Sequence, residues 1–448
     1  MNKKLIASYI FFIFLLSSIC FASDSVYVWS SINSSTANTT NNPSKGNIVN
    51  NTVTNNITAN NTYNFSTNAV NSVNNEIANN SIKTSASVSD NNSLNLESGS
   101  AILIDESTGN VLYSHNAHEK LRPASVTKVM SLLLIMEAVD SGKISLEDKV
   151  PCSEKAHSMG GSQIWLDTTE TLTVNDMLKS MCVVSANDCT VAMAEFIGGS
   201  EENFVLMMNE KAKQLGMNDT TFKNCHGIDE DGHVTSAYDI AVMSKELLHN
   251  HPKIKDYTTI WMDSIRDGKS RLVNTNKLIR NYNGATGLKT GSTSLALYNL
   301  SASATRDNLS LIAVLMKAPS TKIRFSEATK LLDYGFANYS SKSFGKRNDI
   351  VTTEKVNKGI VSEINLVLEN DANILVKKGN ESNVEQNLII NENIQAPINK
   401  GDVLGKITYT LNGNQLLEVN LIADIDIAKS NFWNLTTSLY SKWFNMIR

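Results

Sequence analysis

Two hydrophobic periods alternate between Glu97 and Tyr339, and their order constrains the fold more than any other feature of the chain. Strand-like runs at 100–105 and 108–113 meet around a turn at Gly109. Helical spacing takes over at 125–140, carried by Val126, Val129, Met130, Leu133, Leu134 and Val139. Further helical patterns cover 174–197, 201–215 and 237–249, strand-like runs return at 298–302 and 309–316, and 324–336 is helical again. A sheet bracketed by many helices is an α/β (α+β) body. From 348 to about 425 short alternating runs are broken by Gly and Asn, which predicts a small all-β domain, a sandwich.

The two ends read differently. Lys3 and Lys4 precede an apolar run from Leu5 to Leu16, then Ser17, Ser18 and four more residues ending on the small Ala22 at the expected cut. That run is short for a membrane span, so residues 1–22 are expected to be a secretory signal peptide. Cys20 invites a lipoprotein reading, which the bulky Ile19 before it opposes. Residues 23–96 are dominated by Asn, Ser and Thr, with too little apolar surface to offset the entropy of ordering, and are read as a disordered spacer. At the far end, Phe432, Trp433, Leu435, Leu439, Trp443 and Phe444 fall on one half of a helical projection, with Asn434, Ser438, Ser441 and Lys442 on the other. A core-packing helix gives the same division. Terminal position and aromatic content favour an amphipathic helix over 426–448 lying on a membrane surface, outside the cytoplasm.

A formal net charge of −4 leaves no basic face for phosphates, so no nucleic-acid partner is expected. The 7 His and 5 Cys are scattered, without C-x-x-C or H-E-x-x-H spacing, and neither a metal nor a cofactor is expected. Chemistry must then come from side chains in three short motifs: Ser125-Val126-Thr127-Lys128, Ser185-Ala186-Asn187 and Lys289-Thr290-Gly291. A serine hydroxyl is a poor nucleophile until a base takes its proton. Positions i and i+3 share a face at a helix start, which brings Lys128 to Ser125. A lysine is a base only when burial and neighbouring cations lower its pKa, and Lys289 is a candidate cation. Ser185 and Asn187, on a loop between helical segments, could relay a proton and bind a substrate amide. Singly the motifs say little: Ser343-Phe344-Gly345-Lys346 repeats the first, and Ser31-Ile32-Asn33 the second.

Their order and context resemble the penicillin-recognising serine D-Ala-D-Ala carboxypeptidases, the low-molecular-mass penicillin-binding proteins. Arg122-Pro123-Ala124-Ser125-Val126-Thr127-Lys128-Val129-Met130 is similar to that family's nucleophile helix, and Ala285-Thr286-Gly287-Leu288-Lys289-Thr290-Gly291 to its K-T-G strand. Leu331-Leu332-Asp333-Tyr334-Gly335-Phe336 resembles its closing helix. The resemblance implies a β-lactamase/transpeptidase-like domain over 97–342 followed by the β-sandwich over 343–425. It also implies roles. Ser125 attacks the carbonyl between the last two D-alanines of a peptidoglycan stem peptide, Lys128 is the base, and Ser185 shuttles protons. Asn187 seats the peptide, and Lys289 and Thr290 hold its carboxylate. The backbone N–H groups of Ser125 and Ser292 form an oxyanion hole. Arg324, in an R-x-x-E-A run, either adds charge near the carboxylate or makes a structural ion pair. β-Lactam antibiotics are the other implied ligands.

Two departures stand out: Thr286 replaces the usual acid before Gly287, and Leu297 replaces a glycine and is expected to crowd the adjacent strand. A serine β-lactamase would use the same motifs, but it needs no β domain or terminal helix, and no E-x-x-x-N follows Ser185. A catalytically idle wall-binding protein is the other alternative. His226 with Asp229 or Asp239 suggests a triad, yet no G-x-S-x-G frames any serine, so His226 is read as structural. Cys152, Cys182, Cys189 and Cys225 are read as buried free thiols.

Overall fold

A computed structural model describes residues 94–431, with Thr436 and Trp443 beyond them. The expected signal peptide, the spacer up to residue 93 and, those two positions apart, the terminal segment 432–448 lie outside the described residues. No helix among the described residues is long and apolar enough to cross a membrane.

Strands β1 (Ser100–Asp105) and β2 (Val111–His115) open the chain. After a 3-10 turn at Ala124–Thr127 comes helix α1 (Lys128–Asp140), then β3 (Lys149–Pro151), α2 (Glu154–His157) and β4 (Thr171–Thr173). Helices α3 (Val174–Val183), α4 (Asn187–Gly198), α5 (Glu201–Gln214), α6 (Ala237–Asn250) and α7 (Lys255–Thr258) follow. The hairpin β5 (Met262–Ile265) and β6 (Ser270–Val273) leads through α8 (Leu278–Asn281) to β7 (Ala285–Thr293), β8 (Leu297–Arg306) and β9 (Leu309–Ala318). Helix α9 (Thr321–Asn338) closes this part. The helical pattern over 174–197 is in fact two helices, broken at Val184, Ser185 and Ala186, so Asn187 is the first residue of α4 rather than part of a loop.

Five antiparallel strands form one sheet in the order β2-β1-β9-β8-β7. Alternate residues of β1 go to opposite faces: Ile102 and Ile104 join the core under α1, α3, α4 and α6, while Ala101 and Leu103 pack with Leu331, Leu332 and Phe336 of α9. Both faces are covered. That explains why β9 reads from Leu311 to Met316 as an unbroken apolar run rather than an alternation. Helix α1 is buried on all sides from Lys128 to Met136, as a helix without a polar face must be. Thr173, Ser200, Ser236 and Ser320 cap α3, α5, α6 and α9, each accepting a backbone N–H from the first turn.

The β part has its own core, including Leu366, Leu368, Ile407, Tyr409, Val419 and Leu421. Its strands are β10 (Tyr339–Ser343), β11 (Ile350–Lys355), β12 (Glu363–Leu368), β13 (Asn373–Lys377), β14 (Val384–Ile390), β15 (Val403–Leu411) and β16 (Asn414–Ala423). Five pair in the order β11-β12-β16-β15-β14, and β10 pairs with β13. Ser343 of the second S-x-x-K run lies on β10, in this part of the chain.

The chain's entry into the first sheet is also fixed. Glu327 of α9 accepts the backbone N–H of Glu97 at 2.5 Å and of Ser98 at 3.2 Å, and Leu94 and Leu96 pack against the adjoining core.

Candidate active site

The three motifs converge where α1 begins, between the α3–α4 break and strand β7. Ser125 lies in the 3-10 turn that runs into α1, and Lys128 one turn later reaches back to it, Nζ to Oγ 3.2 Å. Lys128 is fully buried. Its Nζ also donates to Asn187 Oδ1 at 2.6 Å and to the backbone carbonyl of His226 at 2.7 Å. These contacts decide what the amine can do. An uncharged amine has two hydrogens and one lone pair. With both hydrogens held by Asn187 and His226, the remaining direction is the one facing the Ser125 hydroxyl.

The charge state suits that role. Burial, followed by the nearby Lys289 ammonium, holds the Lys128 amine well below the usual lysine range. Lys289 is itself buried and lowered to about 7, chiefly by desolvation, with Arg324 pushing the same way and the Cys182 thiol opposing. Its Nζ donates to the Thr290 carbonyl at 2.9 Å. The Thr290 hydroxyl meets Thr275 Oγ1 at 2.7 Å.

Ser185 sits in the α3–α4 break with φ 65°, a left-handed conformation of the kind found at functional sites. Its hydroxyl is buried and has no hydrogen-bond partner among the described residues. Asn187 is a bracket: its Nδ2 donates to Gly160 O and its backbone N–H to Ser162 O, each at 2.7 Å, while Oδ1 takes Lys128. Strand β7 passes very close to the nucleophile turn. A Cβ on Gly291 would come within 2.9 Å of Pro123 O, Ser125 N and Val126 N, which explains the glycine of K-T-G. Ser292, the next residue, is exposed at the strand's end.

Arg324 is buried and lowered to about 10 by that burial. It makes no ion pair among the described residues. Its Nη1 donates to the carbonyls of Gly291 and Asn299, and its guanidinium carbon lies 4.7 Å from the Phe325 ring centroid. Of the two readings of Arg324, the ion pair is therefore not what is found: Glu327 of the same run is engaged with Ser98.

Three supporting residues escaped the motifs. Asn299 on β8, fully buried, donates through Nδ2 to Arg122 O at 2.8 Å and Pro123 O at 3.0 Å, tying the nucleophile turn to the sheet. His233 meets the hydroxyl of Thr127 at 2.8 Å, and Ser131 donates to Cys225 O at 2.6 Å. Each is a polar residue facing inward from a different element, a relation carried by no local pattern. The departures also resolve. Thr286 donates to Ser303 Oγ at 2.8 Å and its carbonyl accepts from Thr258, which supports the strand without an acid. Leu297 is half-buried with φ 56°, so the constraint that favours glycine there is conformational rather than crowding. His226 is structural, with Nδ1 accepting the Ile228 N–H, and the four described cysteines are buried and free.

Comparison with known proteins places the chain among relatives over both of its parts. A family profile described as D-alanyl-D-alanine carboxypeptidase matches residues 83–320, and one described as the C-terminal domain of penicillin-binding protein 5 matches 339–429. The chain is 46% identical over 351 residues to the D-alanyl-D-alanine carboxypeptidase DacF of Bacillus subtilis, covering 78% of this chain and 90% of the relative. To DacC of Escherichia coli it is 34% identical over 77% of this chain and 88% of the relative. Among solved structures, penicillin binding protein 5 from Haemophilus influenzae superposes with a TM-score of 0.64 at 33% identity, over 75% of this chain and 98% of that one. Penicillin-Binding Protein D2 from Listeria monocytogenes, in its ampicillin-bound form, gives 0.50 at 30% identity over 54% of this chain and 98% of that one. The chain belongs to the D-alanyl-D-alanine carboxypeptidase family. It is a serine peptidase of the penicillin-binding group, which favours the carboxypeptidase reading over a β-lactamase or an idle wall-binding protein.

Proposed function

We propose that the chain removes the terminal D-alanine from peptidoglycan stem peptides through an acyl-enzyme on Ser125. The observation that carries this reading is the three-way environment of Lys128 Nζ, whose two acceptors leave its lone pair for the Ser125 hydroxyl. Lys128 takes the hydroxyl proton as Oγ bonds to the carbonyl carbon of the penultimate D-alanine. The N–H groups of Ser125 and Ser292 hold the oxyanion. The C–N bond then breaks, and the leaving amine takes a proton through Ser185, whose unpartnered hydroxyl is free to relay it. Water releases the acyl group by the same steps in reverse.

Lys289 and Thr290 receive the terminal carboxylate, with Arg324 adding positive potential behind Gly291. Carboxylate binding at Lys289 favours its ammonium form, in a site whose empty state holds it near 7. Asn187 seats the peptide with the Nδ2 hydrogen left over from Gly160. β-Lactams acylate the same serine and mimic the peptide. A signal peptide (1–22), spacer (23–93), catalytic domain (94–338), β-sandwich (339–430) and membrane-surface helix (431–448) fit an enzyme working at the outer face of the cytoplasmic membrane. The sequence-based bounds shift because Leu94 and Leu96 pack on the first core, β10 pairs within the β part, and Ile427 is buried in the sandwich core.

Mass spectrometry with diacetyl-Lys-D-Ala-D-Ala, and separately with penicillin, tests the reading. Release of one D-Ala together with a penicilloyl adduct on Ser125, abolished in Ser125→Ala, is expected. Folded protein that does neither refutes it.

A further inference from the structure

The carbonyl that orients Lys128 belongs to His226, in a loop that joins no regular element to α1, yet it is held at 2.7 Å from Nζ. The residue before it explains how. Both backbone groups of Cys225 are taken by buried side chains: its N–H donates to Glu201 Oε1 at 3.2 Å, and its carbonyl accepts from Ser131 Oγ at 2.6 Å. Glu201, at the first turn of α5, is 6% exposed and anchored by Lys155, Nζ to Oε2 3.0 Å, while its Oε1 lies 3.5 Å from His226 Nε2. After the turn, the Gly227 N–H donates to Asn224 Oδ1 at 2.7 Å. The peptide that presents the His226 carbonyl is thus clamped ahead of and behind the carbonyl.

From this geometry we infer that Glu201 is a positioning residue for the catalytic base: it fixes Cys225–His226 so that the His226 carbonyl occupies one Lys128 hydrogen and the lone pair stays on Ser125. Ser131 holds the carbonyl of the same residue, Cys225, one peptide unit closer to His226, and acts with it. The inference rests on the reading of Lys128 as base. Removing Glu201 frees the carbonyl to swing, so the amine keeps its place but loses its direction. The chemical step slows while the substrate contacts, on β7 and at Asn187, do not change.

Covalent labelling of the full-length chain, purified in mild detergent, with a fluorescent penicillin at several concentrations separates the noncovalent constant from the acylation rate. Glu201→Leu is expected to lower the acylation rate about tenfold or more while the noncovalent constant holds within about twofold. Glu201→Gln keeps an oxygen for the Cys225 N–H and should stay within about threefold of the parent rate. The acidic limb of the rate profile should move to lower pH in Glu201→Leu, because the Lys128 ammonium loses a carbonyl that stabilises it. The groups that face Lys128 and set the rest of that profile are Lys289, Asp188, Cys189 and Cys225, and those that face Glu201 are Lys155, His226 and Cys225. A Glu201→Leu protein with the parent rate and the parent pH profile overturns the inference. If that variant does not fold, Ser131→Ala must show the same separation of rate from binding, and a parent rate there overturns it equally. Lys128→Met distinguishes the two levels: parent labelling in that variant sinks the base reading itself, whereas lost labelling there beside an unaffected Glu201→Leu sinks only the role of Glu201.

Discussion

Replacing Asn299 by leucine tests whether the sheet holds the nucleophile turn in place. The side chains have similar volume, so the change removes hydrogen bonds with little loss of packing. Three bonds go: Nδ2 to Arg122 O at 2.8 Å, Nδ2 to Pro123 O at 3.0 Å, and the Lys317 N–H to Oδ1 at 2.8 Å. Pro123 O keeps the Val126 N–H at 3.3 Å, so the groups stranded are Arg122 O and the Lys317 N–H. At about 1–3 kcal/mol each, partly offset because a buried amide is replaced by an apolar group, a net loss of roughly 3 kcal/mol is expected. For a domain of this size that corresponds to a Tm lowered by roughly 6–12 °C in a melt followed by circular dichroism. The released carbonyls lie three and two residues ahead of Ser125, in the turn that carries it, so penicillin labelling of the folded protein should also slow by about tenfold. A variant with an unchanged Tm would refute the hydrogen-bond arithmetic. One that is destabilised but labels at the parent rate would refute the claim that this pin reaches the nucleophile.

Gly227→Ala should be among the most damaging single changes, because φ there is 92° and the new Cβ would stand 1.9 Å from Ala124 O; a loss above roughly 3 kcal/mol and little penicillin labelling are expected. His233 and His226 are both held down to about 4, chiefly by burial, so they stay neutral in the fold while unfolded histidines titrate near 6.5. The unfolded chain therefore binds protons first as pH falls. Stability should be full above about pH 6.5 and decline toward pH 4 by roughly 3 kcal/mol for His233, with His226 acting in the same direction; melts at pH 7, 5.5 and 4 that coincide would contradict this. Burial pushes the Cys152 thiol up to about 11 and that of Cys182 to about 12, so a maleimide should modify these two only at the rate of unfolding. Fast modification of Cys182 in native protein would show that its core opens locally.

Much of this was legible in the residues. The change from strand to helix spacing and back locates β1, α1, β8, β9 and α9, because each buries a face whose period the sequence records. Ser125 and Lys128 could be paired from spacing alone, since one turn of helix does the work. The short pieces were not legible. The pairs β3–β4 and β5–β6 have three or four residues per strand and depend on neighbours rather than on their own pattern. The break at Ser185 was hidden because Val174 to Ile197 keeps a helical apolar spacing across it, and only φ 65° at Ser185 shows the turn. Asn299, His233 and Glu201 belong to the same class of omission. Their function lies in contacts with residues from 24 to 177 positions away, and nothing in a local window marks them.

The clamp between Glu327 and the backbone at Glu97 and Ser98 also bears on how the enzyme carries load. Anything attached upstream of Leu94 pulls first on α9 and on the small cluster around Leu94 and Leu96, and only then on β1. In the sheet, β9 and β8 stand between β1 and β7, the strand that bears Lys289. Three strand spacings amount to about 14 Å. Glu327 lies one helical turn from Arg324, whose Nη1 holds the Gly291 carbonyl of β7, so α9 spans that distance and joins the clamp to the far edge of the sheet. A pull on the entering chain would therefore reach the K-T-G strand through a single helix instead of being spread across the sheet.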